Sequence, residues 1–159
     1  MRKTIIGRPA EAGGAGGEGW LDLERLARVE VSSEEAGHPV ESALLPGDAG
    51  GWRADGPGPQ TIRILFDAPQ RIRRVALLFV AEGDERTQEF VLRWAPGAAG
   101  PYREVVRQRY NFSPGGAARE AEDYGVELDG VAALELEITP HVGGGDARAS
   151  LARLRLLGG

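Results

Sequence analysis

The sequence predicts an all-β protein: a single domain built as an antiparallel β-sandwich or jelly roll of about eight short strands. Three observations carry that expectation. The 24 glycines and 10 prolines among 159 residues exceed ordinary usage and demand many turns. Runs of alternating apolar and polar residues recur along the chain, the period of half-buried strands. Gly/Pro/Asp signals separate those runs, at 46–48, 56–59, 83–84, 96–97, 114–116, 129–130 and 143–145.

The elements follow in order. Residues 1–19 are expected to form a flexible, Gly-rich arm, since 8–19 (RPAEAGGAGGEG) holds almost nothing that can be buried. Gly14, Gly16 and Gly19 match a dinucleotide fingerprint in spacing, but no buried strand precedes them and Pro9 breaks the approach. The domain is expected over 20–159. Trp20, Leu23 and Ala27 share one face of a short helical turn that leads into Val29-Glu30-Val31. Ile62, Ile64 and Phe66 share one face of a strand. Residues 72–80 (IRRVALLFV) are apolar enough to suggest a central strand covered on both sides. Phe90, Leu92 and Trp94 alternate with Val91 and Arg93, and Leu134, Leu136 and Ile138 with Glu135, Glu137 and Thr139. Ala152, Leu154 and Leu156 mark the last strand. The helical competitor is 115–122 (GGAAREAE), long enough for two turns at most.

Composition narrows the chemistry. Without cysteine there is no disulfide, zinc-thiolate site or thiol nucleophile. The formal net charge of −5 argues against nonspecific binding to nucleic acid or anionic lipid. The N-terminus (MRKTIIGRPAEAGG) lacks the apolar run of a signal peptide and no stretch would span a bilayer, so a cytoplasmic location is expected. Catalytic signatures for nucleophilic serine, zinc hydrolysis and phosphate loops are missing, and no enzymatic role is expected.

Several short segments, Val31-Ser32-Ser33-Glu34, Leu44-Leu45, Trp52, Gln60-Thr61-Ile62 with Phe66-Asp67, 86–93 (RTQEFVLR), Tyr102-Arg103-Glu104-Val105 and 149–154 (ASLARL), form one pattern. Together they resemble the discoidin, or coagulation-factor C-domain, group. The resemblance covers roughly 28 to 158. It implies a galactose-binding-like jelly roll, noncatalytic, with ligand loops at one end, and glycans, lipid head groups or proteins as ligands. Within the group, Ser32-Ser33-Glu34, His38-Pro39, Glu41, Leu44-Leu45 and Trp52-Arg53 are similar to the N-terminal domain of the eukaryotic single-strand-break repair scaffold. That likeness implies the alternative of an intracellular protein-interaction domain, linked to DNA repair.

By the resemblance, the ligand loops map to 33–39, 46–53 and 81–87, with 111–116 as a fourth contributor. Sugar recognition needs rings to stack on and forked donors for paired hydroxyls. His38, Trp52, Arg53, Arg86, Asn111 and Phe112 supply those groups and are the candidate ligand-binding residues. Each has a structural reading as well: Trp52 or Phe112 as core, His38 as a turn residue, Arg53 and Arg86 as solvated loop arginines. Group members that hold a structural calcium use an Asp-rich turn and a late Glu. This chain offers Asp48 and, at the late position, Arg153, so no metal and no cofactor is expected.

Three further clusters stand apart. Glu120, Glu122 and Asp123 read as a solvated strand edge or helix start in preference to an acid–base pair. His141 and Asp146 flank a glycine loop (HVGGGDAR) but are too few for a transition-metal site. Arg103, Arg107 and Arg109 lie among Tyr102, Tyr110 and Phe112, a pattern suited to single strands unless alternation parts the charges from the rings. The partner expected is a glycan or glycan-like small molecule, or else a protein.

Overall fold

The computed structural model of the chain describes residues 19–47, 50–81, 85–97, 99–113 and 118–159. The expected arm therefore lies outside the described residues, apart from Gly19, whose carbonyl accepts a hydrogen bond from Gly158. The fold is all-β, as expected, and among the described residues has two one-turn helices, α1 (Leu23–Leu26) and α2 (Glu41–Leu44). Its eight strands are β1 (Ala27–Val31), β2 (Trp52–Pro57), β3 (Gln60–Val80), β4 (Arg86–Ala95), β5 (Arg103–Phe112), β6 (Arg119–Thr139), β7 (Arg148–Leu151) and β8 (Arg153–Gly158). Among the described residues no helix is long and apolar enough to cross a membrane.

Two long strands make the sandwich by folding over. The first half of β3 pairs with β1 and with the second half of β6, which in turn pairs with β4 and through it β5. The second half of β3 pairs with the first half of β6 and with β8. Between the halves, Leu65 to Gln70 on β3 stands opposite only Ala133 to Val131 on β6. Such a surplus bends a strand sharply, and Pro69, which cannot donate to a ladder, sits within it. Asp129-Gly130, expected as a turn between strands, lies inside β6 at this corner, with Gly130 at φ 68.

The inner faces of the two layers share one core. Ile62, Ile64, Phe90, Leu92, Leu134, Leu136 and Ile138 come from the first layer, and Ile72, Val75, Leu77, Phe79, Leu154 and Leu156 from the second. Phe79 and Phe90 meet across the gap with ring centroids 5.2 Å apart, although their strands do not pair there. The predicted alternations hold for the strands around Ile62 and Leu134. Residues 72–80 are a correction: Ile72, Val75, Leu77 and Phe79 are buried, whereas Arg73 and Arg74 face solvent. The strand is central in its layer but covered on one side only; the second apolar row, Ala76, Leu78 and Val80, is half-buried.

Two other readings change. Residues 119–122 belong to β6, so the helical competitor fails over that part; 114–117 lie outside the described residues. The expected last strand is found as β8, starting one residue after Ala152, whereas the closing segment 149–154 of the resemblance spans two strands: β7 pairs with β2 in a small separate sheet, and β8 returns to β3. Rings and arginines part as alternation allows on β5. Tyr110 and Phe112 turn to the core, while Arg107 and Arg109 pair with Glu89 outside.

Candidate functional site

Because β3 folds at its middle, both its ends return to the same end of the sandwich. There Glu35 and His38, Gly50, Ala81 and Glu85, and the 141–148 segment surround a cleft of about 930 Å³. His38, Trp52, Arg53 and Arg86 line it, so four of the six candidate residues converge across nearly 50 positions of sequence. Asn111 and Phe112 are not on its surface.

The 32–51 loop is held by its own polar residues. Ser32 and Ser33 both donate from Oγ to Gln60 Oε1, at 2.7 and 2.8 Å, and Glu34 accepts from the Val40 amide at 3.0 Å. Trp52 Nε1 donates to the Ser33 carbonyl at 2.9 Å. Its indole is only 1% exposed and closes the end of the core beneath the cleft. Gly51 has φ 78, and a Cβ there would lie 2.6 Å from the Leu151 carbonyl oxygen, so this approach of loop to β7 requires glycine. Arg155 donates to the carbonyls of Ala43 and Leu45, fastening the end of α2. The segment that carries the family resemblance is thus largely scaffold.

His38 sits in a turn closed by its amide on the Glu35 carbonyl, and its own carbonyl accepts from the Arg53 amide at 3.3 Å. Arg53 is exposed at the start of β2. Glu35 accepts from Arg148 at 2.9 Å, tying this loop to β7. His141 enters the cleft from the glycine loop, its Nδ1 accepting from the Thr87 amide at 3.1 Å. An imidazole that accepts at Nδ1 carries its proton on Nε2, which leaves a donor for a ligand.

Arg86 is the most distinctive group. Its guanidinium stands over the Phe112 ring at 5.4 Å, which supports it from below. Phe112, only 2% exposed, is core and meets Tyr110 edge-on. Arg86 Nε is buried and has no hydrogen-bond partner. Burial, and then the neighbouring Arg53 charge, pull its pKa below the ordinary arginine value. Asn111 is exposed and serves the β4–β5 pairing, its Oδ1 accepting from Thr87 Oγ1 at 2.5 Å.

His141, Asp146, Arg148 and Glu35 also line the cleft and were not among the expected ligand residues. The signal for the first three was present in HVGGGDAR, where a polar pair brackets a glycine loop. Weighed only as a metal site, the pair found too few ligands. Among the described residues, no group of three or more His, Cys, Asp or Glu is placed to hold a metal. Asp48 lies outside the described residues, and Arg153 is exposed at the start of β8.

The acidic run needs correction too. Glu120 is 5% exposed and faces the sandwich interior, with one carboxylate oxygen unpartnered. Burial, with Glu122 adding to it, pushes its pKa up to about 8. Glu122 accepts from the Tyr124 hydroxyl at 2.5 Å. Only Asp123 points outward, in a two-pronged pair with Arg74.

No protein-family model matches the chain. A curated relative, anaphase-promoting complex subunit 10 of Schizosaccharomyces pombe, is 30% identical over 89 residues, 56% of this chain and 47% of the relative. The match therefore spans less than half of that protein. Among solved structures, the CBM32-3 module from a family 31 glycoside hydrolase of Clostridium perfringens superposes with TM-score 0.66 at 18% identity, covering 91% of this chain and 98% of the module. The family 32 carbohydrate-binding module of C. perfringens NanJ, solved with galactose, gives TM-score 0.57 at 17% identity, covering 82% and 92%. The chain therefore shares the β-sandwich jelly-roll fold of these modules.

Proposed function

We propose that the chain is a noncatalytic recognition module that binds carbohydrate in the cleft lined by His38, Arg53, Arg86 and His141. The observation that carries this is the convergence of side-chain donors from separate loops, His38, Arg53, Arg86 and His141, on one concave site. The likeness to the galactose-bound NanJ module supports the ligand class. With Trp52 buried, recognition rests on hydrogen bonds to hydroxyls and charged groups rather than on stacking against that ring. The test is an isotope-edited NMR titration with a panel of mono- and disaccharides, using sucrose to control for general osmolyte effects. Saturable shifts confined to amides around the cleft are expected; a silent cleft across the panel would remove the reading.

A second reading has its own support. The similarity to anaphase-promoting complex subunit 10 favours an intracellular protein-interaction domain. Under that reading the same cleft takes a peptide, and cleft shifts arise with peptides while sugars leave it unchanged.

A further inference from the structure

Arg86 differs from the other cations around the cleft. Arg148 is neutralised by Glu35 at 2.9 Å. The remaining lining carboxylates, Glu85 and Asp146, are exposed on the rim. Among the described residues neither forms an ion pair with Arg86, whose Nε is buried without a partner. Arg53 adds a second positive charge on the same wall. Two guanidinium groups thus face one cavity; among the described residues no ion pair joins a carboxylate to either of them, and Phe112 holds one of them in place.

An unpaired guanidinium in a half-buried position costs stability unless a ligand completes it. A neutral sugar hydroxyl can accept its hydrogen bond but leaves the charge uncompensated. A carboxylate accepts two parallel hydrogen bonds from the fork and cancels the charge. We infer that the cleft selects acidic glycans, the sugar carboxylate meeting the Arg86 guanidinium with Arg53 as the second cation. This inference rests on the carbohydrate reading and specifies the ligand's chemistry.

The experiment compares matched pairs by calorimetry and NMR at low salt: galacturonate with galactose, glucuronate with glucose, and mannuronate with mannose. An acetylated aspartyl-glutamyl peptide forms a fourth arm. In at least one pair the acid is expected to bind roughly 10-fold tighter or more, with the advantage shrinking as salt is added. Arg86→Gln should bring the ratio close to one while its amide spectrum stays folded, and Arg86→Lys should keep part of it. Equal binding of acid and neutral partner would overturn the selectivity and leave the carbohydrate reading standing. So would an Arg86→Gln variant that weakens both members equally. Peptide binding with no sugar binding, or no binding in any arm, would overturn both.

Discussion

Strand β4 carries two arginines whose surroundings could hardly differ more. Arg93 faces outward and donates to Glu135 at 2.9 Å and Glu137 at 3.1 Å, carboxylates presented by the adjacent β6. Arg63 on β3 joins the same Glu135 at 2.7 Å. These partners hold both arginine pKa values above the ordinary one, despite the opposing cost of burial. Arg86, at the strand's first position, meets an aromatic ring and another cation instead, and its pKa falls. A charge that the sheet itself satisfies belongs to the architecture. A charge that the fold supports mechanically but leaves electrically open is available to a ligand.

The largest effect is expected beneath the cleft that holds Arg86. Trp52→Ala should cost about 3–5 kcal/mol, because it empties a fully buried site and removes the hydrogen bond to Ser33. A denaturant midpoint close to that of the parent would show that the indole does not close the core. Next comes the satisfied region. Glu135→Gln removes the carboxylate charge that Arg63 and Arg93 share and should cost about 1–2 kcal/mol, the pair being 8% exposed at Glu135 but partly wet at the arginines. If melting is unchanged, the outer ladder is ornamental and the contrast with Arg86 loses its meaning.

Glu120 supplies a third test, read against pH. Its folded pKa of about 8 lies above that of the unfolded chain, near 4.3, so the folded state holds the proton more tightly. Its contribution is fully present below about pH 4.3 and is lost as pH rises through about 8. Melting temperature should therefore decline across that window by more in the parent than in Glu120→Gln. Identical profiles would show that Glu120 is solvated. The smallest effect is expected at the open charge: Arg86→Gln should leave stability within roughly 0.5 kcal/mol of the parent or raise it, since among the described residues no ion pair is lost. A loss as large as that at Glu135 would mean that Arg86 is structural.

Much of this molecule was legible residue by residue. Leu134, Leu136 and Ile138 declared their inward face by alternation alone, as did Ile62 and Ile64. The apolar run misled at 72–80, where apolar side chains on the outer row hid a strand covered on one side. The turn signal misled at Asp129-Gly130, where it marks a bend within a strand. In the site, His38, Arg53 and Arg86 could be placed near a common cleft because the family resemblance supplies the loop map. His141 and Asp146 could not, because their relevance comes from the loop packing beside Thr87 and not from any spacing of their own.

The sequence by itself determined the fold class, the absence of cysteine chemistry and the faces of the most regular strands. These depend on composition and on contacts two residues apart, which a period reveals. Only the tertiary structure decided which charges are paired and which polar groups are buried. Arg63 finds Glu135, and Glu35 finds Arg148, across separations that only strand register and loop closure can bring together. Glu120 is buried because the folded-over β6 turns its carboxyl toward the interior, and Arg86 is open because no described acid is brought to it. Electrostatic satisfaction is set by neighbours in space, and in a sandwich built from two folded strands those neighbours are remote in sequence.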